Sequence, residues 1–120
     1  MRVALGDAYL SIHNKPAAID CFLVAEGLNE TEGLSSRRLG QLYEEEGEFY
    51  NPTKSAYFYR RFLKKKKDMI CDEDTFHPAF YLCNYYKQQG DAVNFHAIIK
   101  LLLVSNDEVF HTSICYKHDE

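Results

Sequence analysis

Residues 3–10 read "VALGDAYL" and residues 36–43 read "SRRLGQLY". Leu-Gly-x-x-Tyr therefore occurs twice, as Leu5-Gly6-Tyr9 and Leu39-Gly40-Tyr43, at an interval of 34 residues. A small residue after the Leu lets a second helix approach closely, and a Tyr one turn later fills the gap between the two helices. The second helix should then present a small residue, an aromatic and another small residue along its facing stripe. Ala18, Phe22 and Ala25 do so after the first copy. Between the two predicted helices "HNKP" supplies a break, with Asn14 and Pro16 as turn or cap residues.

A helix hairpin with that signature and that period resembles the tetratricopeptide repeat, in which no unit buries its apolar face alone and about three stacked units make one core. The second copy begins well with Leu39, Gly40 and Tyr43, but "EEEGEFYNPTK" carries about three residues more than the usual turn. Its second helix is expected from Asn51-Pro52, as N-cap and first-turn proline, with Ser55, Tyr59 and Phe62 as the facing stripe. A third, looser unit lies in "AFYLCNYYKQQGD", where Leu82, Cys83 and Tyr86 take the places of Leu, Gly and Tyr. Gly90-Asp91 caps one helix and starts the next, and Phe95, Ile99 and Leu102 form the stripe.

The expected fold is an all-α tetratricopeptide-repeat solenoid of about three helix hairpins with a partial capping helix. The repeats occupy residues 1–105, as 1–30, 31–70 and 76–105, followed by a tail or capping helix over 106–120. Helices are predicted at 2–13, 16–28, 32–46, 52–67, 76–89 and 91–104. In the tail, Phe110, Ile114 and Tyr116 are placed to cover one end of the stack. End faces left open would favour self-association, because the core of a solenoid continues past them.

Composition narrows the function. The chain has 120 residues, enough for one core and no second domain. A net charge of -4 argues against nucleic acid as the main ligand. The longest apolar run, "AIIKLLLV", is too short for a bilayer and contains Lys100, so no membrane partner is expected. Arg2 and Asp7 break the only early apolar stretch, so no signal peptide is expected. The cysteines Cys21, Cys71, Cys83 and Cys115 form no C-x-x-C pair; Cys21 and Cys83 sit among apolar residues, as buried reduced thiols do. A reducing compartment fits.

Catalytic chemistry finds little footing. His13, His77, His96, His111 and His118 show no i, i+4 pairing with a nearby acid, so neither metal nor cofactor is expected. No phosphate-binding glycine loop or nucleophile elbow occurs, and an enzyme is not expected. The acidic runs "EEEGE" and "CDED" fall at helix ends or loops, as solvated charge; the first, late in a helix, opposes the macrodipole. The run "RRFLKKKKD" puts six cations at the end of a helix, where the dipole favours them; it is read as a solvated end, against an import signal or an anion site.

The first helices of stacked hairpins line a concave face suited to an extended peptide. The repeat register places Asp7 and Leu10 there from the first unit. Leu34, Arg37, Gln41 and Glu44 come from the second, and His77, Phe80, Asn84 and Lys87 from the third. Repeats that clamp a chaperone's C-terminal carboxylate place Asn just after the Gly. Here Asp7, which would repel a carboxylate, and Gln41 hold that position, which disfavours a co-chaperone adaptor.

"MRVALGDAYL", "AAIDCFLVAEG", "RRLGQLYEE" and "HPAFYLCNYYKQQGD" together resemble the C-terminal repeats of subunit eight of the anaphase-promoting complex, the cell division cycle protein twenty-three family. Arg2 stands where that family usually has Trp. The resemblance implies a scaffold in a multisubunit ubiquitin ligase of the nucleus and cytoplasm that controls mitotic exit, with the chain matching only the C-terminal part of such a subunit. It further implies that Arg37, Gln41, Glu44, Asn84 and Lys87 contact a short motif of an activator or a neighbouring subunit, with Phe80 as apolar anchor. The alternative is a generic tetratricopeptide adaptor outside the ligase.

Overall fold

Four polar side chains start helices where the backbone would otherwise leave amides unpaired. Asn14 accepts from the Ala17 amide, Asn51 from Lys54, Asp72 from Thr75 and Asp91 from Asn94. Pro16 and Pro52 follow in the first turn, where a missing N–H costs nothing. The computed structural model describes residues 2–29 and 31–117, with side chains for residues 3–29 and 31–104. Among them the chain forms six α-helices and no strand: α1 (Arg2–Ser11), α2 (Lys15–Gly27), α3 (Leu34–Glu44), α4 (Pro52–Lys65), α5 (Glu73–Gln89) and α6 (Ala92–Lys117). The fold is all-α.

Each helix packs on the next in chain order. The odd-numbered helices are also tied to one another. Asp7 of α1 receives Arg38 of α3 at 2.8 Å, and Glu44 of α3 meets His77 of α5 at 2.7 Å. Between the even helices, Glu26 of α2 receives Arg61 and Lys65 of α4. The result is elongated, 53 × 33 × 24 Å. Its radius of gyration of 16.3 Å exceeds the roughly 13.6 Å of a compact chain of this length.

Close approach within the first two pairs rests on glycine. A methyl group on Gly6 would lie 2.5 Å from the Phe22 ring, and one on Gly40 would lie 2.6 Å from the Tyr59 ring. The stripes Ala18, Phe22, Ala25 and Ser55, Tyr59, Phe62 are buried as expected. On α6 the buried positions are Ile98 and Leu102, with Phe95 and Ile99 partly buried, so Ile98 takes the inward place expected of Ile99. Two apolar clusters result. One gathers Ile19 and Phe22 of α2, Leu39, Leu42 and Tyr43 of α3, and Phe58 of α4. The other joins Tyr59, Phe62 and Leu63 of α4 to Ala79 and Leu82 of α5 and Ile98 and Leu102 of α6.

Several boundaries differ from the sequence expectation. α5 begins at Glu73 rather than 76, because Asp72 and Thr75 close a reciprocal capping box inside the stretch read as a solvated loop. α3 ends at Glu44, so Glu45, Glu46 and Glu48 leave the helix and escape the macrodipole conflict. α6 continues in backbone to Lys117, past the expected end at 104. Phe110, His111, Ile114, Cys115 and Tyr116 lie outside the residues with described side chains, and His118 lies outside the described residues. Cys21 is buried, whereas Cys83 is only half-buried and Cys71 is exposed. Among the described residues no helix is long and apolar enough to cross a membrane.

Candidate functional site

The ten residues assigned to a peptide-binding face do not share one pocket; the odd-numbered helices spread them over several clefts. Leu10 and Gln41 line the largest, about 600 Å³, between the ends of α1 and α3. Leu42 and Phe49 add apolar surface, Pro16 borders it, and His13, Lys15, Arg38, Glu45 and Glu48 complete its wall. Its cations are already matched, Arg38 by Asp7 at 2.8 Å and Lys15 by Glu45 at 3.5 Å. Glu48 is exposed, leaving an acidic rim.

Glu44 works between helices rather than at an open surface. Its carboxylate accepts from the Tyr59 hydroxyl at 2.5 Å, and His77 Nε2 lies 2.7 and 3.0 Å from its two oxygens. The Tyr59 phenol titrates far above its ordinary value, first because it is buried and then because the Glu44 carboxylate would repel a phenolate. The His77 and Tyr81 rings both lie against Tyr59, at centroid distances of 5.7 and 5.2 Å. Arg37 reaches Asp74 of α5 at 3.5 Å, while its Nε is buried with no hydrogen-bond partner. With Leu34 it lines a smaller cleft of about 200 Å³ beside Phe62 and Thr75.

Phe80 is exposed and stacks on Phe76, rings 6.2 Å apart. Lys87 is exposed and borders a cleft with Tyr86 and Phe95. Asn84 belongs to a cleft of about 280 Å³ between the start of α4 and α5, with Tyr81, Tyr85 and Gln88 on the same helix and Tyr50 and Pro52 opposite. This cleft repeats the largest one. Arg38, Gln41, Leu42 and Glu45 of the first correspond to Tyr81, Asn84, Tyr85 and Gln88 of the second, each 43 residues further on. Pro16 and Pro52, both in the first turn of an even helix, border the two in the same way.

Sequence reasoning found Leu10, Gln41 and Asn84 but missed the residues that complete the clefts. His13, Glu48, Phe49 and Tyr50 come from turns and Lys15 from the first position of α2, whereas helical register selects only facing positions inside helices. A signal was present, because the lengthened turn after α3 is what supplies Glu48, Phe49 and Tyr50.

The basic run is partly internal. Glu26, whose side chain is only 8% exposed, takes Lys65 at 2.8 Å, Arg61 at 3.3 Å and the hydroxyls of Ser35 and Ser36. Burial pushes its carboxyl up, but the hydrogen bonds from Lys65 and Ser36 and the Lys65 charge prevail and hold it below the ordinary 4.5. Arg60 pairs with Asp68 at 2.7 Å, and Lys66 lies over the Phe62 ring. Lys64 and Lys67 are exposed. Among the described residues no three His, Cys, Asp or Glu side chains form a metal-binding group. No family model, no curated protein and no solved structure matches the chain.

Proposed function

We propose that this chain is a solenoid of tetratricopeptide-repeat type and acts as a protein–protein interaction scaffold, holding an extended peptide along the clefts beside α1, α3 and α5. The observation that carries the reading is the pair of glycine–aromatic contacts, Gly6 on Phe22 and Gly40 on Tyr59, whose glycines stand 34 residues apart. Stacked hairpins of this kind leave clefts between successive units, and two clefts whose lining positions correspond at an offset of 43 residues open between these helices. A preorganised row lowers the entropic cost of fixing an extended segment. The setting we propose is a multisubunit ubiquitin ligase related to the anaphase-promoting complex, in the nucleus and cytoplasm, with ligase subunits or an activator as partners. On this reading the chain has no catalytic role.

The test is affinity purification of partners from cell extract, identified by mass spectrometry, with the wild-type chain and a Glu48→Lys, Gln41→Ala variant. Co-purification of ligase subunits with the wild type and their loss from the variant is the expected result. Retention of all partners by the variant would move binding away from the clefts, and absence of ligase subunits would remove the ligase setting.

A further inference from the structure

The two clefts share a register of lining positions and differ in size and chemistry. Where the first carries Arg38 and Glu45, the second carries Tyr81 and Gln88. Gln41 becomes Asn84, and Leu42 becomes Tyr85. Every side chain lining the second cleft is uncharged: three tyrosines, three amides and Pro52. The tyrosines are held in place. Tyr81 sits edge-on to buried Tyr59, Tyr85 packs edge-on to Tyr86 at 5.8 Å, and the Tyr85 hydroxyl donates to Thr53 Oγ1 at 3.3 Å. Tyr50 is half exposed on the opposite wall.

Such a lining suits one kind of peptide. A charged segment would lose hydration in a cleft that returns no ion pair. An ordinary extended strand would bring backbone N–H donors as well as carbonyls, and three amides and three phenols would have to meet both kinds of group once desolvated. A polyproline II segment has neither problem. It has no proline N–H, its carbonyls point outward as acceptors, and its rings present flat apolar faces every third residue at about 9 Å. Asn84, Gln88 and Gln89 can donate to those carbonyls, and the tyrosine rings can take the prolines between them. The helix is preformed in the free peptide, so little order is lost on binding.

From this lining we infer that the α4–α5 cleft is a docking site for a proline-rich segment of a protein partner in polyproline II conformation. The inference rests on the reading of this side of the molecule as a peptide-binding surface, and it names the ligand class of one cleft. The α1–α3 cleft, with its acidic rim, takes other side chains of an extended partner.

The test is fluorescence anisotropy with a labelled oligoproline peptide of about ten residues, against a Gly-Ser peptide of equal length. Tyr50 and Asn84 are exposed, so Tyr50→Ala and Asn84→Ala leave the core intact, which far-ultraviolet circular dichroism verifies. Each is expected to weaken oligoproline binding about tenfold, while Tyr50→Phe keeps the ring and most of the affinity. Val93→Ala, on the exposed face of α6 away from both clefts, should leave it unchanged. No oligoproline binding at millimolar peptide, equal binding of the Gly-Ser peptide, or binding indifferent to Tyr50→Ala and Asn84→Ala would overturn the inference. The scaffold reading would stand through any of these results, provided extract partners are still captured and still released by Glu48→Lys, Gln41→Ala.

Discussion

Replacing Gly40 with Ala puts a methyl group against the ring of Tyr59, 2.6 Å from Cδ1 and Cε1 and 3.0 Å from Cγ. Carbon atoms prefer about 3.5–4.0 Å, so the ring must retreat by about 1 Å. It has little room: Tyr59 is fully buried, and its hydroxyl is engaged by Glu44. Overpacking of this kind costs about 1–3 kcal/mol, while the better helix propensity of Ala returns about 1 kcal/mol. The net expectation is a loss of up to about 2 kcal/mol, or up to about 8 °C in Tm. The same substitution at Gly27, the last residue of α2, meets no atom within 4 Å. It should therefore stabilise by about 0.5 kcal/mol. Urea denaturation followed by far-ultraviolet circular dichroism measures both. A cycle of Gly40→Ala with Tyr59→Leu should show coupling of about 1 kcal/mol, because the smaller side chain removes the clash. If Gly40→Ala matches Gly27→Ala in sign, Gly40 is not there to admit the tyrosine, and the close-approach account of the helix pairs falls.

Glu26→Gln should cost about 2 kcal/mol at neutral pH, since it leaves Lys65 and Arg61 facing a neutral amide. The folded carboxyl titrates below 4.5, so its contribution is complete above that pH and drains as pH falls through the lower folded value. Wild type and variant should thus converge in stability as pH falls below that folded value; a constant gap in acid denaturation would contradict the network. Lys67, with φ +58°, should gain about 1 kcal/mol of stability on replacement by Gly, and a loss in thermal unfolding would show that its side chain contributes more than its strained backbone costs. Asn51→Ala removes the α4 cap and should lower stability by about 1 kcal/mol, with Asn51→Asp close to wild type; equal effects of the two would dismiss the cap.

Local chemistry was legible in the sequence to the extent that it depended on neighbours along the chain. Leu-Gly-x-x-Tyr located two close helix pairs, and Asn51-Pro52 located the start of α4 after an irregular turn. The start of α5 escaped because Asp72 and Thr75 look like one more acidic loop until their side chains and amides are seen to pair. On α6 Leu102 is buried as expected, but Ile98 takes the place expected of Ile99, because "AIIKLLLV" holds apolar residues on adjacent faces and only packing against α5 chooses between the two isoleucines. Asp7 and Glu44 read as open groove positions, yet Arg38, Tyr59 and His77 occupy them from other helices. Those partners lie 15 to 33 residues away, beyond any helical spacing. The clefts were half visible, as helix faces without the turns that close them.

Phe58 and Tyr59 are consecutive, and they point into different apolar clusters. α4 is therefore a party wall between the two halves of the molecule, and neither half can melt without stripping one of its sides. Amide hydrogens in the middle of α4 should be the last to exchange with solvent, protected close to the full unfolding free energy, while those of α1 open sooner. Damage to either half would reach the other mainly through this helix, with the α3–α5 pairs Arg37–Asp74 and Glu44–His77 as the second route. That makes α4 the element that decides whether this chain unfolds as one unit or as two.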